Sequence, residues 1–188
     1  MKVIIVNGRG GVGKDTFESF VAEIAAKNHK WTGKTSMVTF VKQIAERCGW
    51  FGGKELKDRK FLSDLKLALA EWNDIPYTFV KNFLKRADRD DTEFVFVDAR
   101  EAEDIDRLKE DFNAITVLIE RKGLLESYGN VADDNVYNYS YDYVIENNGT
   151  LDELKQSAET FYEDVLMTDR IIKLAEKMSS AGINGETK

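Results

Sequence analysis

One juncture constrains this chain more than any other. Val3-Ile4-Ile5-Val6 runs almost directly into Gly8-Arg9-Gly10-Gly11-Val12-Gly13-Lys14-Asp15-Thr16, and a helical period of apolar residues follows. The four opening residues are apolar and β-branched, the pattern of a strand buried on both faces of a parallel sheet. Phe17, Phe20, Val21, Ile24 and Ala25 then fall at helical spacing. Between strand and helix, the glycines fit G-x-x-x-x-G-K in the context that pattern requires. Glycines let the backbone wrap closely, so successive N–H groups and the helix N-terminus face a polyphosphate. Lys14 adds a compact positive charge for the β/γ-phosphate oxygens.

The rest of the chain alternates short apolar runs with amphipathic segments. Ser36–Phe40 is expected as the second strand, Phe94–Val97 and Ile115–Ile119 as buried strands, and Tyr141–Ile145 as the last. Val41–Cys48 and Leu56–Trp72 read as helices separated by Gly49, Gly52 and Gly53. Asp74-Ile75-Pro76 opens another, with Asp74 as N-cap and Pro76 in the first turn. Glu101–Phe112 is a polar helix. Thr150-Leu151-Asp152-Glu153 is a capping box that starts a helix to about Val165, and Ile171, Leu174, Ala175 and Met178 mark a final one. Lys122–Ser140 keeps no helical period, and a loop that long in a compact domain is usually functional. Tyr137, Tyr139, Tyr141 and Tyr143 alternate with period two and would share one face of an extended segment. These elements define a single α/β domain over residues 1–178 with a frayed tail over 179–188. Its central parallel sheet carries helices on both faces and right-handed crossovers, with ligands expected at the carboxyl ends of the strands.

Composition narrows the chemistry. There is one Cys, one His and one Pro, so an internal disulfide is impossible and His/Cys zinc sites lack ligands. A Ser-His-Asp or Cys-His site would rest on His29 alone, at the end of the first helix. Cys48 reads as a buried hydrophobe, at helical spacing from Val41, Ile44 and Ala45. No run approaches the roughly 18–20 apolar residues of a membrane span, and the N-terminus lacks a signal peptide's apolar core. The expectation is a soluble cytoplasmic protein. A net charge of −7 argues against a nucleic-acid polymer as partner. The charge is uneven, however: residues 1–90 hold 17 Lys and Arg against 11 Asp and Glu, and this basic half carries the glycine loop.

One residue departs from the common form of that loop. After the lysine ordinarily stands Ser or Thr, whose hydroxyl ligates Mg²⁺; here it is Asp15. A carboxylate is a hard oxygen ligand that serves a metal directly or through water. Gly13-Lys14-Asp15-Thr16 resembles the phosphate loop of bacteriophage-type deoxynucleoside monophosphate kinases. Gly-Lys-Asp is also similar to that of animal-type phosphomevalonate kinases, and both families resemble adenylate kinase and dephospho-coenzyme A kinase in fold. The resemblance continues in order along the chain. Phe40-Val41-Lys42-Gln43-Ile44 is similar to the segment beside the acceptor, and Lys57–Leu62 to the acceptor lid with its phosphate-binding Arg. Val97-Asp98-Ala99-Arg100 with Glu103 resembles the strand-end Asp-x-Arg, and Asp142–Leu151 the last strand and the loop that holds the adenine.

The resemblance implies the P-loop NTPase, adenylate kinase-like fold, three layers around a central parallel sheet. It also implies a helical acceptor-binding region over about 42–90 and a lid-like loop over 121–140. The implied activity is transfer of the γ-phosphoryl group of ATP, with Mg²⁺, to a small phosphorylated acceptor, foremost a (deoxy)nucleoside monophosphate. A non-nucleotide phosphate monoester as acceptor, such as phosphomevalonate or dephospho-coenzyme A, and a non-catalytic nucleotide-binding accessory protein stay open. Under this resemblance Gly8, Gly10, Gly11, Val12, Gly13, Lys14, Asp15 and Thr16 hold the nucleotide, with Asn147 at the adenine. Asp15 and Asp98 organise Mg²⁺, and Arg59 and Arg100 hold the acceptor phosphate. Lys14, Asp98 and Arg121 act on the transferring group. Expected partners are small molecules rather than a membrane or nucleic acid, with a homodimer left open. The loop departs from related lids, which commonly supply several arginines: beyond Arg121 it offers Lys122 and then Glu126, Asp133 and Asp134.

Overall fold

The computed structural model describes residues 1–53, 55–90, 92–123 and 135–183. β1 (Lys2–Asn7) is the middle strand of a five-stranded, all-parallel sheet. Around it stand β2 (Thr32–Ser36), β3 (Phe94–Asp98), β4 (Ile115–Glu120) and β5 (Tyr143–Glu146), in the order β2-β3-β1-β4-β5. The register sets Val6 opposite Asp98 and Asp98 opposite Ser36, so three neighbouring strands finish level. The ligand crevice of an open parallel sheet forms along that edge.

Side-chain alternation divides the core. Ile4, Val6, Phe94 and Phe96 pack against α1 (Lys14–Lys27) and α6 (Leu151–Ile183), meeting Phe17, Val21 and Phe161. On the other face Val3, Ile5, Val95 and Val97 pack against α4 (Ile75–Arg89) and α5 (Ala102–Phe112) through Val80, Leu84, Ile105 and Leu108. The α/β class and the parallel sheet with helices on both faces agree with the sequence reading. α2 (Thr39–Arg47) joins this second layer through Phe40, whose ring stacks on Phe79 of α4 at 5.2 Å between centroids. α3 (Leu56–Asn73) leans on α2 and α4 and buries none of its residues.

The structure corrects several expectations. The second strand is Thr32–Ser36 rather than Ser36–Phe40. As an edge strand it needs no continuous apolar run, and the apolar residues that suggested a strand lead into α2. Asp74 occupies the N-cap of α4 in a left-handed conformation, but its carboxylate makes no cap bond. It pairs instead with both terminal nitrogens of Arg107 on α5, whose guanidinium lies 3.7 Å from the Tyr77 ring centroid. Cys48 is exposed, not buried. The tyrosines do not share one strand: Tyr137 lies in a 3₁₀ turn over Asn135–Asn138, and only Tyr143 belongs to β5. The Thr150–Glu153 capping box is present in both directions. The two helices expected after it form the single helix α6, which enters the expected tail as far as Ile183. Most of the lid-like loop over 121–140 lies outside the described residues. Among the described residues, no helix is long and apolar enough to cross a membrane.

One side chain ties the sheet's far edge together. Asp142 Oδ2 accepts hydrogen bonds from both the backbone N and the Oγ1 of fully buried Thr116, each 2.8 Å long. Asp142→Ala is expected to cost about 1–3 kcal/mol in urea unfolding, because the Thr116 N–H would lose its acceptor in the interior. A variant that unfolds at the wild-type urea midpoint would refute this role.

Candidate phosphate-binding site

The glycine loop is fixed at its ends and open in its middle. Gly8 has φ of 145°, and a Cβ there would stand 2.3 Å from the Ile119 carbonyl oxygen of β4. Gly13, at φ 102°, caps α1, and its Cβ would meet Asn147 Nδ2 at 2.5 Å. Only glycine satisfies both the dihedral and the space at these positions. A Cβ on Gly10 or Gly11 would meet nothing within 4 Å, so the centre of the loop looks onto open space.

Polar anchors hold this shape. Asn7 Oδ1 accepts from the Gly8 N–H at 2.8 Å, while Asn7 Nδ2 donates to Tyr141 Oη at 2.9 Å. The Tyr141 hydroxyl in turn donates to the Val136 carbonyl at 2.9 Å, and Arg9 lies 4.9 Å from the Tyr137 ring centroid. The 3₁₀ turn is thereby folded against the loop. From β5's end, Asn147 Nδ2 donates to the Val12 carbonyl at 2.8 Å. Asn147, assigned to the adenine by resemblance, has a buried side chain whose amide nitrogen shapes the loop. Lys14 Nζ donates to the Gly8 and Arg9 carbonyls at 2.6 and 2.8 Å, spanning the loop it belongs to.

Beside the loop lies a group of charges that sequence reading found only in part. Lys34, on β2, donates to Asp15 Oδ1 and to Glu18 Oε2, both at 2.5 Å, and lies 3.5 Å from Asp98 Oδ2. The strand register explains the meeting. Lys34 pairs with Phe96, two residues before Asp98, and alternation turns all three toward α1. Asp15 and Glu18 stand one turn apart on α1. Asp15 is mostly exposed, and the Lys34 hydrogen bond holds its carboxyl below the usual value, with the charges of Lys34, Lys14 and Lys42 adding to this against partial burial. Glu18 is buried. Burial pushes its carboxyl up to about 7, the negative charge of Asp98 adds to the rise, and Lys34 opposes it. Neither Lys34 nor Glu18 was among the expected site residues. The signal for Lys34 was weak, because the strand carrying it is polar.

Two buried carboxylate oxygens here, Asp98 Oδ1 and Glu18 Oε1, have no hydrogen-bond partner among the described residues. Hard, unsatisfied oxygens beside an open phosphate loop fit Mg²⁺, which commonly takes one or two carboxylates plus phosphate oxygens and water. Among the described residues, no group of three or more His, Cys, Asp or Glu side chains is arranged as a metal cage of its own. The expected arginines are spread wider. Arg100 follows Asp98 by two residues, Arg59 sits in the first turn of α3, and Arg121 directly follows β4; all three are exposed. The structure therefore brings together Lys14, Asp15 and Asp98, and places Arg100 and Arg121 after strands that flank β1.

No protein-family model matches the chain, and no curated protein matches it. Solved structures do. Shikimate kinase from Aquifex aeolicus matches over 88% of this chain and 98% of its own, with a TM-score of 0.51 at 12% identity. The APS kinase CysC of Mycobacterium tuberculosis, in complex with AMPPNP and APS, matches over 86% and 97%, with a TM-score of 0.45 at 13% identity. The signal recognition particle receptor FtsY from Elizabethkingia anophelis matches over 86% and 65%, with a TM-score of 0.44 at 13% identity. The shikimate kinase likeness, with the five-stranded parallel sheet, gives this chain a P-loop kinase-like fold.

The raised carboxyl of Glu18 has a consequence for stability. Its folded-state pKa of about 7 lies above the ordinary value of 4.5. Its stabilising contribution is therefore complete below the unfolded value and is lost as pH rises through the folded one. The denaturant midpoint is expected to fall between about pH 5 and about pH 8, and Glu18→Gln is expected to flatten that fall. An unchanged slope in the variant would remove Glu18 as its cause.

Proposed function

We propose that this chain is an ATP-dependent phosphotransferase whose acceptor is a small phosphorylated molecule, a (deoxy)nucleoside monophosphate. The observation that carries the reading is the glycine loop itself. It is pinned at Gly8 and Gly13, open at Gly10 and Gly11, spanned by the Lys14 ammonium, and set beside Asp98, whose buried Oδ1 has no hydrogen-bond partner among the described residues. The same fold carries the activity named for shikimate kinase, which supports a kinase without identifying the acceptor.

Catalysis of this kind is positioning and charge neutralisation. Backbone N–H groups of Gly10 to Lys14 and the α1 N-terminus receive the β- and γ-phosphates, and Thr16 the α-phosphate. Lys14 exchanges its loop carbonyls for phosphate oxygens. Asp15 and Asp98 would hold Mg²⁺, which when bound offsets charge on the phosphate oxygens. Helices α2 to α4 form the acceptor side, with Arg59 and Arg100 holding the acceptor's phosphate. An acceptor phosphate oxygen attacks the γ-phosphorus, the bond to the β,γ-bridging oxygen breaks, and ADP leaves. Arg121 approaches the transferring group from the end of β4. No histidine base is needed, because an acceptor phosphate is already an anionic nucleophile.

Incubation with ATP, Mg²⁺ and a panel of monophosphates tests this directly. ADP formation should depend on a nucleoside monophosphate, and Lys14→Ala should lower it by about 100-fold or more. Arg100→Ala should raise the acceptor KM by about tenfold while leaving the ATP KM near its wild-type value. Turnover only with non-nucleotide monoesters would overturn the acceptor assignment. ATP binding without turnover of any acceptor would make the protein a nucleotide-binding accessory instead.

A further inference from the structure

Asp15 poses an electrostatic problem for its own site. It is the second residue of α1, beside the N–H groups that bind an anion, and a carboxylate there repels polyphosphate where the usual hydroxyl would not. The remedy comes from another strand. Lys34 reaches from β2 to Asp15 at 2.5 Å, and it is not a loose surface cation. Its second partner, Glu18, has a side chain only 4% exposed and holds the same ammonium at 2.5 Å from within the core. Asp98, at the end of β3, lies on its third side at 3.5 Å.

We propose that Lys34 is a positioning residue of the phosphate-binding site, neutralising Asp15 and drawing its carboxylate toward Asp98, aside from the path of the polyphosphate. This rests on the reading of the glycine loop as an ATP site. Glu18 anchors the ammonium, Lys34 carries Asp15, and the open centre of the loop keeps a net favourable field for phosphate. The arrangement also sets two roles apart. Without Lys34, Asp15 would oppose polyphosphate; paired to Lys34, it stands ready to join Asp98 as an oxygen donor when a metal is bound.

The test is ATP binding by calorimetry in EDTA, where no divalent cation masks the charge, with folding of each variant checked by thermal melting. Lys34→Met should bind ATP about tenfold more weakly than wild type. Lys34→Arg should stay within about threefold of wild type, because it retains the charge. Combining Lys34→Met with Asp15→Asn should recover most of the lost affinity, since the charge needing neutralisation is then gone. A purely structural role predicts no such recovery. Wild-type affinity in Lys34→Met, or a double variant no better than the single one, would overturn the proposal.

Asp15→Asn alone serves if Lys34→Met does not fold, because Asp15 is 92% exposed and supports no packing. In EDTA this variant should bind ATP at least as tightly as wild type; weaker metal-free binding would also overturn the proposal. A folded wild type that binds no ATP removes the ATP-site reading and this inference together. A wild type that binds ATP while these variants fail their expectations leaves that reading standing and removes only the role of Lys34.

Discussion

β1 is paired on both sides, to β3 and to β4, and the edge that carries the glycine loop depends on that double pairing. A strand buried on both faces and hydrogen-bonded on both edges leaves little freedom to the residues leaving its end. Gly8 therefore emerges against the backbone of β4, closely enough that any side chain would collide with the Ile119 carbonyl. The same pairing sets Asp98 level with Val6, so the acidic end of β3 stands next to the loop without any contact designed for the purpose. Asn7 of β1 and Asn147, just after β5, add hydrogen bonds, but they refine a path that the sheet register has already chosen.

The parts of this arrangement that are legible in sequence are those governed by local pattern. A wholly apolar β-branched run, a glycine loop ending in lysine and a helical apolar period each leave a signature within a dozen residues. Those signatures suffice to locate β1, the loop and α1. β2 leaves none. An edge strand is hydrogen-bonded on one side only and is written here as Thr-Gly-Lys-Thr-Ser, so its neighbours Met37 and Val38 draw the assignment away from it. Lys34 is lost with the strand. Its meeting with Asp15, Glu18 and Asp98 joins residues from three elements, and nothing short of the sheet register brings them together. Cys48 and Asp74 illustrate the same limit. Helical spacing and cap preference describe local fit, while Arg107 on a later helix decides where the Asp74 carboxylate goes.

Charge at the site is balanced locally rather than through the whole chain. The protein carries a net charge of −7, and the cluster beside the loop holds three carboxylates around one ammonium. On the proposed reading the attraction for an anion comes from backbone N–H groups and Lys14, which act at contact distance, whereas distant surface carboxylates are screened within about 10 Å at ordinary ionic strength. The exposed cations at the strand ends, Arg100 and Arg121, extend that local field along the edge of the sheet.

The two sides of the crevice differ in what they cost to move. On the loop side, Phe17 and Val21 of α1 and Val6 of β1 are almost fully buried, and displacing them would expose apolar area worth about 25 cal/mol per Å². On the other side, α3 buries no residue at all and rests on α2 and α4 through half-exposed contacts. Its firmest polar hold is Lys66, whose ammonium pairs with Glu101 and Asp104 at 2.8 and 3.1 Å. On the proposed reading the acceptor side is thus the part held by surface contacts, and the loop for the polyphosphate is built onto the buried core.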